Sequence, residues 1–184
     1  MVEQEELRNF PQPEPYFNMR TLAVEPLTVA EFLEFGCCRD ILAPNCEKLG
    51  ARPIEFFRDM IPQTLGQNTV VSYSNCRIES RELSIDVSEC HSFTAEMLLP
   101  LDADVLMHFG PATHPADGFP LERIRVFRVP KGTMVVIKPG TWHHAPFSLD
   151  GRPANILVAL PERTYANDCT VVSLKEADRI QIRL

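Results

Sequence analysis

The chain has 184 residues, 45% hydrophobic and 23% charged, which fits one soluble globular domain with its own core and excludes a collagen-like, coiled-coil or mostly disordered protein. With 18 basic and 25 acidic residues the net charge is -7, which argues against nucleic-acid binding, since phosphates need a basic face, and against anionic membranes. No run approaches the roughly 18 apolar residues of a membrane span, and sixteen prolines against eight glycines favour many short strands over long helices.

Residues 1–20 are polar and carry Pro11, Pro13 and Pro15, so they read as an extended arm outside a single domain of residues 21–184. The acidic start, Met1 to Glu6, lacks the basic and apolar regions of a signal peptide. A cytoplasmic setting is therefore expected. The six cysteines (Cys37, Cys38, Cys46, Cys76, Cys90 and Cys169) are expected as free thiols in the role of small hydrophobes.

Residues 21–24 read as a strand. Thr28 with Glu31 three places later forms a capping-box pattern, Val29, Phe32, Leu33 and Phe35 share a helical face, and Gly36 suits a stop. The remainder reads as strands over 54–60, 69–77, 82–87, 95–99, 104–109, 124–129, 133–137, 154–160 and 169–174, with a loop over 111–120. Many short antiparallel strands in one domain mean a sandwich, jelly roll or barrel. Phe56, Phe57, Phe93, Phe109, Phe127 and Phe147 are expected in the core, and His108 and His114 in solvent.

One segment carries chemistry. Gly132 to Ile137 reads as a strand, Pro139-Gly140 as a turn, and His143 opens the next strand. This resembles the second motif of the cupin superfamily: Gly132, Gly140 and His143 are in register, Pro139 is one place late, and Phe147 takes the place of an asparagine. Upstream, Glu89, His91 and Glu96 fall on the first motif, with Glu89 where a histidine is usual and Ala103 where a glycine is usual. Alternation turns Glu89 and His91 to one face of a strand. Two imidazoles and two carboxylates facing one point suit a divalent transition metal (Zn, Mn, Fe or Ni); the competing reading is a polar pocket without metal.

A closer resemblance is to the ureidoglycolate lyase family, carried by Trp142-His143-His144 followed by Pro146 and Phe147. Leu22 to Gly36, Phe57-Arg58-Asp59, Ser74-Asn75-Cys76-Arg77, Glu96 to Leu101 and Asn167-Asp168-Cys169 are similar to further stretches of it, in the same order. Two departures are Glu96 where the family usually carries glutamine, and Ile137-Lys138 where it usually carries a Tyr-His pair. The resemblance implies a mainly β cupin-type jelly-roll barrel, or double-stranded β-helix, with one or two short helices. It implies an enzyme that splits ureidoglycolate, or a related small hydroxy acid, into glyoxylate and urea, a step of allantoin and purine breakdown. The alternatives are another metal-dependent cupin enzyme (an isomerase or dioxygenase on a small acid) and a non-catalytic small-ligand-binding cupin.

On that reading His143, His91 and Lys138 are the catalytic candidates, Arg77, Trp142 and Lys138 bind substrate, and Glu89, His91, Glu96 and His143 hold the metal. No organic cofactor is expected. His144 should face outward, and Arg77 could instead pair with Glu79 or Asp59. The expected partners are a small anionic substrate and a second copy of the chain.

Overall fold

A computed structural model describes residues 20–114 and 116–184; the arm lies outside the described residues except for Arg20. The strands of the first half are β1 (Arg20–Pro26), β2 (Gly36–Asp40), β3 (Lys48–Ala51), β4 (Ile54–Phe57), β5 (Val71–Ile78), β6 (Ser84–Ile85), β7 (Val87–Cys90) and β8 (Glu96–Pro100). Those of the second half are β9 (Val105–Phe109), β10 (Arg125–Val129), β11 (Thr133–Ile137), β12 (Phe147–Ser148), β13 (Ala154–Pro161), β14 (Thr170–Ser173) and β15 (Ile180–Arg183). Two single-turn helices complete it, α1 (Val29–Phe32) and α2 (Thr164–Asn167).

Two sheets build the mainly β barrel. One runs β12-β9-β10-β1-β15-β6 and the other β2-β11-β8-β13-β5, with the pairs β14-β7 and β3-β4 outside them. Phe32, Phe35, Phe109 and Phe127 stack between the sheets, with ring centroids 4.9 to 6.1 Å apart. Each contributes roughly 1.5–3 kcal/mol by leaving water. On the other face of the first sheet Leu106, Val126 and Phe147 pack with Ile85 and Ile180 in a second core.

β13 shows the reason for the register. Its burial alternates through its first half, as a strand with one face on the core must. Its partners Ile156↔Cys76 and Val158↔Leu98 set the inner face shared by β5, β13 and β8.

Several expectations are corrected. Thr28 does cap α1, accepting from the Glu31 amide at 3.2 Å. The helix is one turn, however, and Gly36 opens β2 instead of merely stopping it. A Cβ there would lie 2.1 Å from the Val136 carbonyl. β1 pairs in parallel with both β10 and β15, so the sheets are not purely antiparallel. Phe56 and Phe93 are exposed. Phe56 stands on the outer face of the β3-β4 hairpin, beside Leu49 in register. His108 is only 1% exposed, because β9 is buried on both faces.

Candidate metal centre

Glu89 and His143 are placed by backbone alone. The Glu89 amide donates to the His143 carbonyl at 2.6 Å, and the His143 amide returns the bond to Glu89 at 2.8 Å. The two residues are therefore directly opposite, with their side chains on one face. His91 follows just past β7, and its carbonyl accepts from the Gly140 amide at 2.6 Å. That bond pins the Pro139-Gly140 turn against the His91 loop. Gly140 has φ +80°, and a Cβ there would meet Ala112 at 2.9 Å, so the turn wants glycine. Glu96 opens β8, opposite Ile137 of β11.

The side chains converge. Glu96 Oε2 lies 2.8 Å from His143 Nε2 and 3.2 Å from His91 Nε2. The two imidazole centroids are 5.3 Å apart. Ligand atoms of Glu89, His91 and His143 all fall within 4.8 Å of one another. His91, Glu96 and His143 are 2 to 3% exposed, and Glu89 is half-buried.

The far nitrogens decide the tautomers. His91 Nδ1 sits 2.6 Å from the Asp168 carbonyl and His143 Nδ1 2.9 Å from the Thr141 carbonyl. A carbonyl only accepts, so each Nδ1 carries a hydrogen, and Nε2 is the atom that each ring aims inward and that a metal would take from the neutral imidazole. Backbone-anchored Nδ1 with a free Nε2 is how metal-ligating histidines are held. His91 Nε2 is buried and makes no well-aligned hydrogen bond within the protein. Two imidazoles and two carboxylates fit a divalent transition ion.

Without an ion the same groups form a buried pair. Burial works to raise the Glu96 carboxyl, but His143 and then His91 outweigh it and hold it at about 2. Burial works to lower His143, and Glu96 outweighs it and raises the imidazole above its ordinary value.

Around the centre, the Cys169 thiol donates to Glu89 Oε2 at 3.5 Å. Behind it, the Ser88 hydroxyl donates to the His143 carbonyl at 3.1 Å and accepts from His108 Nε2 at 3.1 Å. Asp168 ties two loops together: its carboxylate takes the Ser92 and Phe93 amides at 2.7 and 2.9 Å, while its carbonyl orients His91. The Tyr165 ring meets the His91 ring edge-on at 5.8 Å.

Three sequence candidates are not brought to this cluster. Lys138 follows Ile137, which faces inward opposite Glu96, so alternation sends Lys138 out. Its ammonium donates to the Leu33 and Glu34 carbonyls at 2.5 and 3.4 Å. Arg77 is exposed on the outer face of β5, with Cys76 and Ile78 on the inner one. It pairs with neither Glu79 nor Asp59. Trp142 is buried on the side away from His143, its Nε1 donating to Thr113 Oγ1 at 3.0 Å and its ring packing on Phe119. His144 is half-buried. Tyr165, Ser88 and His108 belong to no motif; Asp168 stands in the Asn167-Asp168-Cys169 stretch, which does not advertise its part.

Residues 19–182 match the family model described as ureidoglycolate lyase. A comparison with curated proteins gives no significant match. Among solved structures, Bacillus subtilis oxalate decarboxylase, a protein with Mn(II) centres, matches at 16% identity and TM-score 0.39, over 57% of this chain and 24% of its own. A dTDP sugar isomerase from Desulfovibrio desulfuricans G20 matches at 10% identity and TM-score 0.47, over 73% of this chain and 84% of its own. The chain thus spans about a quarter of the decarboxylase.

Proposed function

The chain belongs to the ureidoglycolate lyase family, and from that premise we propose that it releases urea and glyoxylate from ureidoglycolate or a closely related small hydroxy acid. The observation that carries this reading is the convergence of two buried, backbone-oriented imidazoles on Glu96, with Glu89 beside them. Glu89, His91, Glu96 and His143 would hold one divalent transition ion. Bound there, such an ion supplies Lewis-acid chemistry that grips substrate oxygens and lowers a hydroxyl pKa.

The reaction moves one proton: the hydroxyl of the hemiaminal loses it, the C–N bond breaks, and the departing urea nitrogen gains it. Glu89 is the least buried carboxylate of the set, so we assign it that transfer. The Cys169 thiol at its Oε2 holds it in place. His91 and His143 act as ligands whose direction is set by Asp168 and Thr141. A small acid anion as partner, a cytoplasmic setting and a homodimer belong to the same proposal.

Glyoxylate release from ureidoglycolate tests the reaction, with metal content measured by mass spectrometry on the same sample. The expected results are one divalent ion per chain, release well above the spontaneous rate, and a fall of about 100-fold or more in Glu89→Gln. No release above the spontaneous rate overturns the reading. A metal-free variant of it draws on the direct 2.8 Å contact between Glu96 and His143; unchanged activity in protein stripped of all metal would favour that variant.

A further inference from the structure

Beside the metal centre is a cleft of about 280 Å³ between β5, β13 and α2. Ser72, Ser74 and Cys76 alternate along the inner face of β5, Val158 of β13 supplies an apolar wall, and Tyr165 of α2 stands at the edge. Two residues join cleft and centre. The Tyr165 ring contacts the His91 ring at 87° and 5.8 Å. Burial, and then the nearby Glu96 carboxylate, push the Cys76 thiol up.

Tyr165 is held in a prepared position. The Thr164 hydroxyl donates to the Pro161 carbonyl at 2.7 Å, and the Asp168 amide donates to the Thr164 carbonyl at 2.7 Å. Arg163, at the head of α2, sits in the left-handed region with φ 63°, a backbone state that an arginine adopts at a cost. The short segment that orients His91 through the Asp168 carbonyl also presents Tyr165. Tyr165 is 64% exposed, and its hydroxyl has no hydrogen-bond partner among the described residues.

We propose that Tyr165 is a substrate-binding residue: its hydroxyl donates a hydrogen bond to an oxygen of the small carboxylate seated at the centre, and its ring forms one wall of the cleft. The ligand class rests on the lyase reading above; the placement of Tyr165 does not. A tyrosine phenol is protonated at neutral pH and serves as a donor, and an anion is the partner that rewards a donor most.

The test is calorimetric titration of metal-loaded protein with glyoxylate, comparing wild type, Tyr165→Phe and Tyr165→Ala. Tyr165→Phe is expected to weaken glyoxylate about tenfold while metal content and melting temperature stay at the wild-type values. Tyr165→Ala is expected to weaken it further. Wild-type affinity in Tyr165→Phe overturns the donor assignment, as does a wild-type protein that binds no glyoxylate. Binding of glyoxylate without its release from ureidoglycolate sinks the lyase reading and leaves Tyr165 to be judged on the variants.

Discussion

At Glu96 burial and charge pull in opposite directions, and the balance predicts a pH profile. Its folded pKa lies below the unfolded carboxyl value, so its contribution is present above about pH 4.5 and is lost as pH falls toward 2. His143 lies above its unfolded value, so its contribution is full below about pH 6.5 and is lost as pH rises through the folded value. The metal-free pair therefore stabilises most between about pH 4.5 and 6.5. Buried His108, held down to about 3 by burial, works the other way below pH 6.5, so the pair is read as a difference: in excess chelator the melting temperature of wild type minus that of Glu96→Gln should be larger at pH 5.5 than at pH 8.5. A difference that is the same at both pH values would contradict the pairing. Metal acts the other way: protons compete for the same Nε2 atoms, so apparent metal affinity should rise with pH. Glu89, His91, Glu96 and His143 were legible because motif spacing is a property of the chain. Lys138, Arg77 and Trp142 were misplaced because a residue's face depends on strand phase, and one step of phase turns a side chain to the other side.

The elements that build the centre are short, and loops hold them together. β7 reaches His143 through one reciprocal pair of backbone bonds, and the Gly140 amide closes the turn onto His91. Asp168 is the clamp between the His91 loop and α2, with two backbone amides on its carboxylate. Asp168→Ala should cost about 1–2 kcal/mol of stability and lower metal affinity about 10-fold by loosening the loop that orients His91. Chemical denaturation and metal titration of the same variant check both, and an unchanged metal affinity would show that the loop holds without the clamp. The β-branched stretch of β11 was read from the sequence to the residue, as was the Pro-Gly turn after it, since both are local. β2, β3, β12 and β15 were not. They are short, or weak in β-branched residues, and their neighbours rather than their own propensities hold them in sheets.

Across the whole molecule the -7 charge is distributed unequally. Glu96 is turned inward with the histidines, while Glu25 and Glu31 pair with Arg125 across β1, α1 and β10. The β3-β4 hairpin stands apart from both sheets and leaves Leu49, Ile54 and Phe56 exposed. That apolar face supports the proposed homodimer. Light scattering at micromolar concentration should give twice the chain mass of 20.8 kDa, and the mass of one chain would refute the dimer.

By itself the sequence determined that this is a mainly β chain, which turn precedes His143, and that Glu89, His91, Glu96 and His143 come together. Each of these follows from local spacing, and local spacing survives without contacts. The tertiary structure alone decided that β1 runs parallel to its neighbours, that His108 is buried against Ser88, and that Tyr165 and Asp168 stand beside His91. Those placements depend on bonds between residues up to 160 positions apart, as at Arg20 and Ile180, set by which strand faces cover one another. No short window of sequence contains that information.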